Sequence, residues 1–233
     1  TDAHFTPNTQ TAAAIAFLDG EIGAIKTELV NKGLLAKTLV IISAKHGQTP
    51  VDRSLLRKIG DTLGSTLAAA SLGANSGIGA STDPVTGNVL GTGQFTEDDV
   101  GFIWLNDASD AGRAAVIAAL RANAGCPAVD SATKIITSGQ SNPGICAGTD
   151  SGSGVIDLKA DGRFGDPGQG RTPDIMVQPN FGVIYSQSGK KDAEHGGAAP
   201  TDTNVGLLVS HPSLAAQSVA TPVLTTQVAP TIL

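Results

Sequence analysis

No run of apolar residues in this sequence approaches the roughly 18 needed to cross a bilayer, so a transmembrane helix is not expected. A basic stripe is missing too. Acidic and basic residues are interspersed, with a formal charge of -6, so polymeric nucleic acid is not the expected partner and a small substrate is. The opening residues Thr1-Asp2-Ala3-His4 have neither the basic start nor the apolar stretch of a signal peptide, and any export signal is expected to have been removed already. Aromatics are scarce, with one Trp and one Tyr, while Ala, Gly, Thr and Ser abound; this balance fits a secreted or periplasmic protein. Cysteine is limited to Cys126 and Cys146, both in Gly/Pro/Ser-rich surroundings that read as loops. That context suits a disulfide in an oxidising compartment better than a metal pair, the alternative being two unlinked buried thiols.

What the chain does contain is 233 residues, 40% of them apolar and 29 of them glycine, enough for one large α/β domain or two small ones. From Asn8 to Asn31, Ile15, Leu18, Ile22, Ile25 and Leu29 recur at steps of three and four, the pattern of an amphipathic helix stopped at Gly33. Thr38 to Ser43 is a β-branched run without alternation, read as a central strand covered on both faces of a parallel sheet. A second helix is expected from near Asp52 through Leu55, Leu56 and Ile59 toward Ala70, followed by a Gly/Ser/Thr-rich stretch. Gly101 to Leu105 reads as a strand, Ala111 to Asn123 as an Ala-rich helix, Lys134 to Thr137 as a further strand and Gly154 to Leu158 as a short extended piece. Core patterning returns at Asp174 to Val177, Gly182 to Tyr185 and Val205 to Ser210.

Two histidines stand out. His46 lies just beyond a buried strand, at the end where open α/β folds build their sites, and is followed by Gly47. His195 precedes Gly196-Gly197. Glycine beside a ligand lets the backbone pack closely while the imidazole turns toward a metal or a phosphoryl group. A surface or hydrogen-bonded histidine is the bland alternative for each, as it is for His211 before Pro212. Gln48 and Asp52 are close enough in sequence to orient the His46 ring, and Asp174 after Thr172-Pro173 is a candidate orienting group or an ordinary turn residue.

The order of these segments carries a resemblance. Ile42-Ser43-Ala44-Lys45-His46-Gly47-Gln48-Thr49-Pro50-Val51-Asp52, then Thr172-Pro173-Asp174-Ile175, Ala193-Glu194-His195-Gly196-Gly197, Thr203-Asn204-Val205-Gly206-Leu207-Leu208-Val209-Ser210 and Gln227-Val228-Ala229-Pro230-Thr231-Ile232-Leu233 resemble the alkaline phosphatase superfamily. The branch they look most like is the type I phosphodiesterases and nucleotide pyrophosphatases. The resemblance covers nearly the whole chain. It implies a three-layer αβα sandwich on a mainly parallel sheet, with residues 1–233 forming a single domain incomplete at both ends and about 71–173 inserted within it.

It also implies two divalent metal positions, normally zinc, astride a Ser or Thr nucleophile upstream of Thr1, and hydrolysis of phosphodiester or pyrophosphate bonds through a covalent phospho-enzyme. His46 matches a ligand of the metal that activates the nucleophile, His195 matches the histidine that completes the other metal site, and Asp2 with His4 sit near the place of another ligand pair, though at a shorter spacing. Lys45 stands where the family carries an aspartate ligand. A charged ammonium has no lone pair to donate and is repelled by a metal ion, so Lys45 is expected to point away or to contact a substrate phosphate. That departure supports a rival reading, a non-catalytic domain of the same fold that binds a ligand or partner. A sulfatase or phosphomutase on this fold, or an α/β protein outside the superfamily, are the remaining alternatives.

Overall fold

The structure, a computed structural model, describes residues 8–49, 54–60, 62, 66, 95–105, 107–137, 144–150, 152–162, 164–165, 172–186 and 188–232. In chain order the elements are α1 (Thr9–Asn31), β1 (Val40–Ser43), β2 (Arg57–Lys58), β3 (Phe95–Glu97), β4 (Gly101–Ile103) and α2 (Asp110–Ala122). They continue with β5 (Gly154–Asp157), α3 (Leu158–Asp161), β6 (Ile175–Gln178), β7 (Val183–Ile184), α4 (Pro200–Thr203), β8 (Leu207–Ser210) and α5 (Val228–Ile232). Two compact units are formed, one from Thr1–Lys45 with Asn204–Leu233, the other from His46–Thr203.

In the first unit, α1 begins where the Asn8 side chain accepts the Thr11 N–H at 2.8 Å and ends at Gly33, whose φ of 66° is left-handed and open to glycine at little cost. Its apolar stripe is not covered: Ile15, Leu18 and Ile25 are each more than half exposed, and α1 buries no residue. Periodicity marks a face, but burial also needs an opposing surface, and the main neighbour of α1 is the short 3-10 turn Leu35–Lys37 that follows it. β1 is not the central parallel strand expected. It pairs antiparallel with β8, Val40 opposite Ser210 and Ser43 opposite Leu207, in a two-stranded ribbon with only intermediate burial. A β-branched run reports a preference for extended backbone and does not fix strand direction.

The second unit holds the core. Its four-stranded sheet runs β3-β4-β6-β5 with every neighbour antiparallel. β6 is buried at every position because both faces of the sheet are packed. Ile175 and Val177 join Ile103, Val155 and the α2 residues Val116, Ile117 and Leu120 in one cluster. Met176 points the other way and joins Val100 and Leu158, flanked by Phe102 and Ile156. Each such buried side chain is worth about 1.5–3 kcal/mol of transfer free energy, so these layers carry most of the unit's stability. α2 is capped by Ser109, whose Oγ accepts the Gly112 N–H at 3.1 Å, and its buried Arg113 ties the helix to Asp157 at the end of β5.

The start of the expected helix near Asp52 is a turn and a strand instead, while Thr62 and Thr66 farther along the expected span are helical. Ser54 and Leu55 form a turn and β2 pairs parallel with β7, Arg57 opposite Val183 and Lys58 opposite Ile184. The Lys58 ammonium, 1% exposed, reaches Asp192 at 2.8 Å and the Ser188 carbonyl at 3.2 Å. A buried lysine with partners far along the chain is a tertiary feature that overrides the local helical spacing of Leu55, Leu56 and Ile59.

The described residues are therefore α/β, with small sheets that are partly antiparallel. A three-layer αβα sandwich on a mainly parallel sheet is not seen among them, because the strand pairs that form are mostly antiparallel and the parallel pair β2–β7 is only two residues long. Cys126 and Cys146 form a disulfide. No helix among the described residues is long and apolar enough to cross a membrane.

Candidate functional site

Two loops of the second unit meet at their backbones. Gly47 N–H donates to the Asp202 carbonyl at 2.6 Å, Gln48 N–H to the Thr201 carbonyl at 3.1 Å and Thr49 N–H to the Glu194 carbonyl at 3.0 Å. The approach demands glycine at position 47, because a Cβ there would lie 1.9 Å from the Thr201 oxygen.

This docking brings His46 and His195 together, their rings stacked with centroids 3.8 Å apart and planes 18° from parallel. His46 is half-buried and His195 exposed. His46 Nδ1 lies 2.6 Å from the Gly47 carbonyl oxygen. A carbonyl only accepts, so Nδ1 carries the hydrogen, and in the neutral ring Nε2 then presents its lone pair. That is the tautomer a metal ligand needs. A catalytic zinc is held by three protein ligands, and among the described residues no group of three or more His, Cys, Asp and Glu side chains comes together. The described residues thus supply two imidazoles and not a complete ligand set.

The other sequence candidates are dispersed. Asp2, His4 and Asp52 lie outside the described residues. Lys45 belongs to the first unit, where it is exposed and lines an open groove of about 550 Å³ with Leu39, Ile41, Thr225 and Val228. Gln48 is exposed and engaged through its backbone. Asp174 is buried at the start of β6, where its Oδ2 accepts the Leu105 N–H at 2.7 Å; burial pushes its carboxyl above the usual range despite that bond. His211 bonds Ser213 at 2.7 Å and the Ala36 carbonyl at 3.2 Å, a local structural role within the first unit.

Sequence reasoning missed a buried polar cluster behind the histidine loops. Asp99 and Asp202 are 1% and 3% exposed, and the Thr49 hydroxyl lies 2.8 Å from Asp99 Oδ1 and 3.2 Å from Asp202 Oδ2. Gly197 N–H donates to Asp99 Oδ2 at 2.9 Å. The Asp99 carboxyl is pushed up to about 6, first by burial and then by the charge of Asp202, with Thr49 and Gly197 opposing. Next to it, Glu194 is buried and paired with Lys191, which also reaches Asp98 at 3.1 Å; burial raises the Glu194 carboxyl. Glu97-Asp98-Asp99 and Pro200-Thr201-Asp202 both look like turn chemistry, and no spacing rule links them.

No family model, curated protein or solved structure matches the chain, so the family resemblance rests on its motifs alone.

Proposed function

We propose that this chain is part of a metal-dependent phosphoester hydrolase akin to the type I phosphodiesterases and nucleotide pyrophosphatases of the alkaline phosphatase superfamily, acting on a small phosphodiester or pyrophosphate. The observation that carries the reading is the convergence of His46 and His195, the two residues that the motifs nominate as ligands, into one ring stack. In this reading each histidine is a ligand of one of two neighbouring zinc positions, completed by ligands from outside the described residues, and a hydroxyl upstream of Thr1 is the nucleophile. A divalent ion there would polarise the phosphoryl oxygens and stabilise the charge that develops on them. The chain's own contribution is positional. Gly47 lets the two loops close on each other, and the Gly47 carbonyl fixes the His46 tautomer with Nε2 available.

A non-catalytic domain is the second reading, favoured by Lys45 in place of the family aspartate and by the two-member ligand set among the described residues. Zinc binding separates the two. Calorimetric titration of the metal-free chain with Zn2+ is expected to show binding that weakens roughly tenfold or more in His46→Ala and in His195→Ala, as loss of a ligand requires. A zinc-edge anomalous map is expected to place zinc against each ring. An absence of zinc binding, or binding indifferent to both substitutions, would remove the hydrolase reading and leave the binding domain.

A further inference from the structure

The apolar stripe of α1 runs in a strict alternation of steps: three residues from Ile15 to Leu18, four to Ile22, three to Ile25 and four to Leu29. A mean period of 3.5 residues keeps one narrow seam turned toward a single partner helix. In heptad terms Ile15, Ile22 and Leu29 stand at position a, and Leu18 and Ile25 at position d. No residue of the seam is buried; Ile15, Leu18 and Ile25 are each more than half exposed, and Ile22 and Leu29 are only partly covered. The two glycines inside α1, Gly20 and Gly23, fall at the outward positions f and b, with nothing within 4 Å of where a Cβ would stand.

The charges beside the seam identify the partner that fits it. Glu21 is at position g and Lys26 at the next position e; both are exposed, and among the described residues neither is in an ion pair. In a parallel two-stranded coil, position g of one helix faces position e five residues further along the other. Two copies of α1 would therefore set Glu21 of each against Lys26 of the other, two equivalent pairs related by the twofold axis. The remaining flanks add no conflict: Asp19 at position e meets Ala14 at position g, and Glu28 already holds Lys32 of its own chain at 3.1 Å. An antiparallel pair would bring Glu21 toward Glu28, two like charges, so the charge pattern selects the parallel arrangement.

We propose that α1 is a docking surface for a second copy of this chain, the two helices forming a parallel, two-stranded coiled coil. Ile15 and Ile22 at position a with Leu18 at position d are the combination that favours two strands over three. The seam spans two heptads, about 21 Å of helix at 1.5 Å per residue, which covers less than the roughly 1,200 Å² where standard interfaces begin. The dimer is accordingly weak and concentration-dependent. The surface belongs to the first unit and does not depend on the hydrolase reading.

Sedimentation equilibrium of the 233-residue chain, from micromolar to submillimolar concentration at low salt, tests it. A reversible dimer is expected, with Kd on the order of 10⁻⁵–10⁻⁴ M for so short a seam. Leu18→Asp should weaken it about tenfold or more, because each copy then brings a charge into the seam, while the exposure of Leu18 leaves the single chain's fold untouched. Glu21→Lys and Lys26→Glu should each self-associate about fivefold or more weakly, like charges now facing each other twice. An equimolar mixture of those two variants should regain the wild-type affinity within about threefold, since each carries the charges the other lacks. A monomer throughout the range, a dimer indifferent to Leu18→Asp, or a mixture no tighter than its components overturns the proposal. Should Leu18→Asp fail to fold, the two charge variants and their mixture decide alone.

Discussion

Breaking the Cys126–Cys146 disulfide is expected to cost about 3 kcal/mol of stability, from the chain entropy released when a loop with a sequence separation of 20 residues is no longer closed. The loss falls on the second unit, where both cysteines reside. Cys146 is fully buried within the main apolar cluster, and the backbone around it is a junction. Its N–H donates to the Gly125 carbonyl, its carbonyl accepts the Asn180 N–H at 2.8 Å, and the neighbouring Ile145 carbonyl accepts the Tyr185 hydroxyl at 2.7 Å. Asn180 in turn accepts from the Thr149 N–H and from the Ser153 hydroxyl. Releasing the bridge therefore loosens the link between the segment after α2 and the one between β6 and β7. Urea unfolding of the oxidised chain and of Cys126→Ser/Cys146→Ser measures the effect. Coincident midpoints would show that the bridge is idle in the folded state, and a shift equivalent to about 3 kcal/mol would make an oxidising compartment a condition of the chain's stability.

The sequence disclosed the elements whose cause is local. α1 and α2 are bounded by Asn8, Gly33 and Ser109, and both helices show the helical step along the chain, so their limits lie within a residue or two of those expected. The strands at Gly101–Ile103, Ile175–Gln178 and Leu207–Ser210 also follow their apolar runs. Direction and partner were hidden, because a run such as Val40–Ser43 looks the same whether it pairs parallel in a central sheet or antiparallel with β8. The stretch at Arg57–Lys58 was misread because its strand exists through Val183 and Ile184, and its lysine is buried through Asp192.

The same division applies to the site. Each histidine carries a local mark, a glycine next to it, and the fold brings them together. Asp99 and Asp202 carry none. What makes them notable is Thr49, 50 residues from one and 153 from the other, and the close packing of Gly197 against them, which no pattern announces. Lys45, exposed in the first unit, stands where the resemblance would put an aspartate, and the chemistry of that unit does not explain it.

The carboxylate pair should make the metal-free chain lose stability as pH rises. Asp99, 1% exposed, holds its proton up to about 6 in the folded protein, against 3.8 for the ordinary carboxyl. Between those values the folded chain binds more protons than the unfolded one, so raising the pH through about 4 to 6 favours unfolding, and the penalty is complete above about 6. The contribution is opposite in sign to that of an ion-paired aspartate. Asp99→Asn should abolish it. The new amide can keep its oxygen on Gly197 N–H and turn its NH2 toward Thr49 Oγ1, whose own proton then goes to Asp202 Oδ2, so the bonds Asp99 now makes have replacements and one buried charge disappears. In chelator-containing buffer, urea midpoints of the two chains should therefore differ little near pH 4, while near pH 8 the variant should be the more stable. Parallel pH curves would mean that the pair shares no proton.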